Sequence, residues 1–76
     1  MKLNAKQIQF MQEAMSVELV SMLMEEWHCN MEQAMDMYYN SDTFERLSNP
    51  ATGLYYQSPG YVYDYLRNEL VTGKMR

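Results

Sequence analysis

The sequence predicts an all-α protein, a compact single-domain bundle of about four helices with short connections. Three observations lead there. Apolar residues recur at helical spacing through most of the chain. Asn4, Asn30 and Ser58 stand where helix N-caps are expected. One Pro/Gly loop, near 49–57, is the clear interruption, and the chain offers no second extended segment for it to pair with.

The first helix is expected over roughly 5–28. Asn4 with Gln7 three residues on has the form of a capping box, and Leu3 and Ile8 sit where a hydrophobic staple joins N′ to N4. One stripe runs Ile8, Met11, Met15, Leu19, Met22 and Leu23; a second runs Phe10, Ala14, Val17 and Met24 to Trp27. Two stripes make a wide apolar face, so this helix should touch more than one neighbour. Ser16 could cap a second segment, which leaves an unbroken and a divided helix both open.

His28-Cys29-Asn30 reads as a turn. Asn30 and Gln33 repeat the capping box and start a helix over 31–39, where Met31, Ala34, Met35 and Tyr38 form the cleanest amphipathic stripe in the chain. Asn40-Ser41-Asp42 interrupts it. Asp42 with Glu45 resembles a further box, opening a short helix over 42–48 with Phe44 and Leu47 as its apolar contacts. Proline disfavours helix at Asn49 and Gly53 permits a positive φ, so a loop follows, with Leu54–Gln57 as ordered coil. Ser58-Pro59 then places a cap and a proline at N1. The last helix, 59–72, turns Val62, Leu66 and Leu70 inward with Tyr61, Tyr63 and Tyr65 around them. Gly73 is its natural stop, and Lys74 and Arg76 suit that end of the helix dipole.

Seventy-six residues make one domain, burying about 60% of the unfolded surface, with a net stability of about 4–11 kcal/mol. Cys29 is the single cysteine, so no intrachain disulfide supports the fold; a lone thiol and no visible export signal suit the cytoplasm. The apolar runs are far short of the roughly 20 residues a bilayer span needs. Oligomerisation or partner binding is the remaining source of support.

The net charge of −4 is unevenly spread. Residues 1–45 carry Lys2 and Lys6 against eight acids, and residues 46–76 carry four bases against two acids. No fixed positive charge lies between Lys6 and Arg46. Such a field repels phosphate backbones, which argues against nucleic acid as ligand, and it favours a basic protein.

Catalytic constellations are missing from the sequence. His28 and Cys29 are neighbours and diverge on a helix, so they do not form a nucleophile–base pair. One Cys and one His fall short of a zinc set, no calcium loop pattern occurs, and three dispersed glycines do not cradle phosphate. The acids Glu25/Glu26 and Glu32/Asp36 read as solvated faces. The expectation is no enzyme activity, no cofactor and no metal.

Methionine and tyrosine are more telling. Seven of nine methionines lie between Met11 and Met37, and all seven tyrosines between Tyr38 and Tyr65. Spacing assigns Met11, Met15, Met22, Met31 and Met35 to the core. Met24 and Met37 fall off the main stripes and are candidates for a contact face, since thioethers suit adaptable binding surfaces. So small a bundle cannot bury every ring, which points to exposure among Tyr39, Tyr56, Tyr63 and Tyr65, together with Trp27.

The run YYNSDTFERLSNPATGLYYQSPGYVYDYLRNEL, residues 38–70, resembles a family of short all-helical bacterial proteins of unknown function. The resemblance rests on Ser-Asp-Thr-Phe-Glu-Arg-Leu at 41–47, Thr-Gly-Leu-Tyr at 52–55 and Ser-Pro-Gly-Tyr-Val-Tyr at 58–63; over the first helix it is one of pattern only. Related members are encoded beside predicted toxins resembling ADP-ribosyltransferases. The role this implies is that of an antitoxin or accessory partner, and no catalytic residue carries over.

The expected function is therefore a non-catalytic protein–protein interaction module, with another protein, such as a toxin with a basic surface, as its partner. A homo-oligomeric structural domain is the alternative. A helix-turn-helix regulator built on 31–39 and 42–48 is the weaker one, because residues 42–48 offer only Arg46 among two acids.

Overall fold

A computed structural model of the chain describes residues 3–73. Among these, four α-helices and two 3-10 turns account for nearly all the regular structure, and there is no strand. The helices are α1 (Ala5–Trp27), α2 (Met31–Tyr39), α3 (Asp42–Leu47) and α4 (Pro59–Thr72). The 3-10 turns, Pro50–Thr52 and Leu54–Tyr56, lie between α3 and α4. Lys74 and Arg76, expected to complement the end of α4, lie outside the described residues.

α1 is the spine. Its 23 residues span about 34 Å at 1.5 Å per residue, which sets the 39 Å long axis of the molecule. Asn4 caps it as expected: its side chain accepts from the Gln7 amide, and Gln7 accepts from the Asn4 amide. The helix runs unbroken through Ser16. Here the serine hydroxyl bonds back to the Gln12 carbonyl, and the residue is buried. His28 ends the helix in the left-handed region at φ 51.

Asn30 and Gln33 form the second capping box, and α2 folds back along α1. The cap of α3 differs from expectation: Ser41 accepts from the Phe44 amide, and Asp42 is the first helical residue. Ser41 wins because its hydroxyl also reaches the Tyr38 carbonyl, tying the end of α2 to the start of α3. The segment expected as coil at Leu54–Gln57 winds into a 3-10 turn. Gly53 introduces it at φ 72, where a side chain would be strained. Ser58, Pro59 and Gly73 bound α4 as expected.

Leu19 and Leu23 of α1, Ala34 and Tyr38 of α2, Leu47 of α3, and Val62 and Leu66 of α4 form a common core. Complete burial of each large aliphatic chain contributes about 1.5–3 kcal/mol. Polar clamps fix the helices around it. Gln12 Nε2 donates to the Leu47 carbonyl at 3.0 Å. The Glu69 carboxylate of α4 accepts from the backbone amides of Asp42 and Thr43 and from the Thr43 hydroxyl. An acid at that end of α3 also complements its dipole. No helix among the described residues is long and apolar enough to cross a membrane.

Candidate protein-binding groove

α1 has two distinct sides, and Met24 and Glu26 mark them. Two residues on a helix are about 200° apart, so these side chains leave α1 in nearly opposite directions. Glu26 is on the α4 side. It accepts from the Tyr63 hydroxyl and pairs with Arg67 Nε at 3.4 Å. Met24 is on the other side, where no further helix of the described residues covers α1. There it lines an open groove of about 880 Å³ between α1, α2 and α3.

Val17, Val20 and Met24 of α1 form one wall, Met31, Met35 and Tyr39 of α2 the other, and Phe44 of α3 closes one end. On α2 the wall residues recur every fourth position, a straight line along one edge of the helix. Gln9 marks the same end on α1, where Gln12 bonds the Leu47 carbonyl of α3, and Met24 and Met31 mark the other. From Gln9 to Met24 the groove is about 22 Å long at helical rise. Part of its apolar lining is in water: Val17 is 70% and Met31 58% exposed, whereas Val20 is buried and Met24 and Phe44 are half-buried. Phe10, 69% exposed, continues the same face toward Leu3 and Met11. Tyr38, Tyr39 and Phe44 pack edge to face, with centroids 4.9–5.3 Å apart, so the closed end is a stiff aromatic corner.

The residues that the sequence points to as a contact face are placed unevenly. Met24 and Tyr39 meet in the groove. Met37 is half-buried against the core and absent from the groove lining. Trp27 and Tyr56 are exposed elsewhere, Tyr56 edge to face with Tyr55. Tyr65 is half-buried, its hydroxyl 3.0 Å from that of Tyr61; this bond holds the Tyr61 phenol above its ordinary pKa. Tyr63, expected among the exposed rings, is buried. Next to the inward Val62, it is 7% exposed, and burial followed by its bond to Glu26 pushes its pKa above the ordinary value.

Met31 and Met35 also depart from expectation. Spacing assigns them to the core, but only Ala34 and Tyr38 of that stripe are buried. The stripe is wider than the contact with α1, and its outer edge becomes a groove wall. Likewise Val17, from the second stripe of α1, turns to solvent. The signal in the sequence is the width of the apolar face, greater than four short helices can cover.

Among the described residues no three His, Cys, Asp or Glu side chains converge as metal ligands. His28 is exposed at its turn, and the Cys29 thiol lies 3.8 Å from the Leu23 carbonyl. No family model, characterised protein or solved structure matches the chain. The groove between α1, α2 and α3 is a concave surface with apolar side chains on both walls and Gln9, Gln12 and Glu13 at one end.

Proposed function

We propose that this chain is a non-catalytic protein-binding module whose groove between α1, α2 and α3 receives an amphipathic helix of another polypeptide. The observation that carries the reading is a groove about 22 Å long by helical rise whose apolar half, Val17–Met24 facing Met31–Tyr39, leaves Val17, Met31, Met35 and Tyr39 exposed between two helical walls. Helix-in-groove recognition uses anchors at i, i+3, i+4 and i+7 along one face, and a trough of this length takes about 15 residues of helix. Three of the wall residues are methionines, whose unbranched chains adapt to the anchors they meet.

The resemblance of residues 38–70 adds one identity for that polypeptide, a toxin held by an antitoxin-like partner. A DNA-reading role for α2 and α3 draws no support from the geometry. The residues that would face bases are the first ones of α3, and the Glu69 carboxylate occupies them.

The test is a nuclear magnetic resonance titration of the full chain with a designed 15-residue helical peptide bearing leucines on one face. Shifts concentrated at Val17, Val20, Met24, Met31, Met35 and Tyr39, and lost in Val17→Ser, support the reading. Shifts confined to Trp27, Tyr56 or α4 would overturn it.

A further inference from the structure

We infer that the helix received by the groove is cationic along both of its flanks, with lysine or arginine on either side of an apolar face. This rests on the groove being a helix-docking site, and names the chemistry of the occupant.

The charges beside the apolar walls Val17–Met24 and Met31–Tyr39 are of one sign, and Lys6 lies beyond Gln9 on the same face, past the end of the groove. On α2, Glu32 and Asp36 each follow a wall methionine by one residue, so they lie about 100° further round the helix, beyond the wall and toward solvent. Both are exposed. Asp36 accepts from the Asn40 side chain, a neutral donor that leaves its charge in place. On α1, Glu18 and Glu25 follow Val17 and Met24 by one residue in the same way, and both are exposed. The two outer margins therefore carry a pair of carboxylates each, and Glu13 adds a fifth on the α1 wall. No lysine or arginine occurs between Lys6 and Arg46 to offset them. Arg46 is two residues from Phe44 on α3, about 200° round that helix, and so turns away from the groove.

An apolar trough between two acidic margins is complementary to a helix that is apolar below and basic on both sides. It disfavours the other occupants of an apolar groove. A second copy would bring a like set of carboxylates against these margins, and a phosphate-bearing lipid surface would be repelled. Exposed charges act within a Debye length of about 10 Å at 0.1 M salt, so the preference is salt-dependent, whereas the apolar contacts are much less so.

The experiment uses three designed peptides with one leucine face and flanks of lysine, glutamine or glutamate, titrated calorimetrically into the full chain at low and high salt. The lysine peptide is expected to bind roughly tenfold more tightly than the glutamine peptide at low salt, the glutamate peptide most weakly, with the differences collapsing as salt screens them. The Glu25→Lys/Glu32→Lys variant should lose the preference, and both positions are exposed enough to leave folding intact. Equal binding of all three peptides, abolished in each case by Val17→Ser, would overturn the charge inference and leave helix docking standing. Failure of every peptide to bind, with either a neutral detergent monomer entering the groove or the chain self-associating through it, would overturn both.

Discussion

Tyr38 of α2 donates its hydroxyl proton to Ser16 of α1 across a buried 2.7 Å hydrogen bond. The direction follows from the serine's other contact. Ser16 has one proton, and it goes to the Gln12 carbonyl at 3.0 Å, which leaves the tyrosine as donor. The two possible deletions are therefore unequal. Tyr38→Phe removes the donor while Ser16 keeps Gln12, and should cost about 1 kcal/mol. Ser16→Ala strands the hydroxyl of a fully buried tyrosine and should cost about 1–3 kcal/mol. Urea melts of both variants measure the difference; an equal or reversed order would show that Tyr38 has another acceptor.

The same tyrosine makes the fold alkali-sensitive. Burial pushes its pKa up to about 12 from an ordinary value of 10.0. Its folded form thus holds a proton that the unfolded chain has already released. The stability this contributes is fully present below pH 10 and is lost as pH rises to about 12. Denaturant midpoints should fall across that window, and fall less steeply in Tyr38→Phe. The variant retains Tyr63, whose raised pKa adds slope in the same direction, so some alkaline loss should persist.

Glu69 holds α3 in place through its two carboxylate oxygens. One accepts from the Asp42 amide; the other accepts from the Thr43 amide and hydroxyl. Glu69→Ala leaves these donors without that partner beside a fully buried threonine and should cost about 1–3 kcal/mol. Glu69→Gln keeps one acceptor oxygen and should recover part of that. Amide hydrogen exchange at Asp42 and Thr43 checks it: faster in Ala, intermediate in Gln, and unchanged in both if the clamp contributes nothing.

What the sequence makes legible is local. The capping boxes at Asn4/Gln7 and Asn30/Gln33, the Ser58-Pro59 start and the Gly73 stop each involve residues a few positions apart, so their chemistry is written in the spacing. Ser41 and Asp42 are equally capable caps; the choice rests on Tyr38 and on Glu69, which is 27 residues from Asp42. Ser16 reads as a capping candidate for the same reason, since its decisive partner is 22 residues on. Spacing alone misplaces Tyr63 because Glu26, 37 residues away, receives its hydroxyl. Periodicity locates the stripe Met31, Ala34, Met35, Tyr38 correctly. It cannot say which edge of that stripe lacks a neighbour, and that edge is the groove.

The uncovered edge divides residues whose side chains face solvent from residues packed in the core. If Met31, Met35 and Val17 belong to the first group, replacing them with polar residues should leave the fold almost untouched. Val17→Ser and Met31→Gln, at positions 70% and 58% exposed, should each change stability by no more than about 0.5 kcal/mol, as surface substitutions do. Leu19→Ala, three positions from Ser16 and fully buried, should cost about 2–5 kcal/mol. Chemical denaturation of the three variants separates the roles. A loss of about 2 kcal/mol or more, roughly the core figure, for Met31→Gln would mean that the groove is closed by its own walls in solution, and no helix could then enter it.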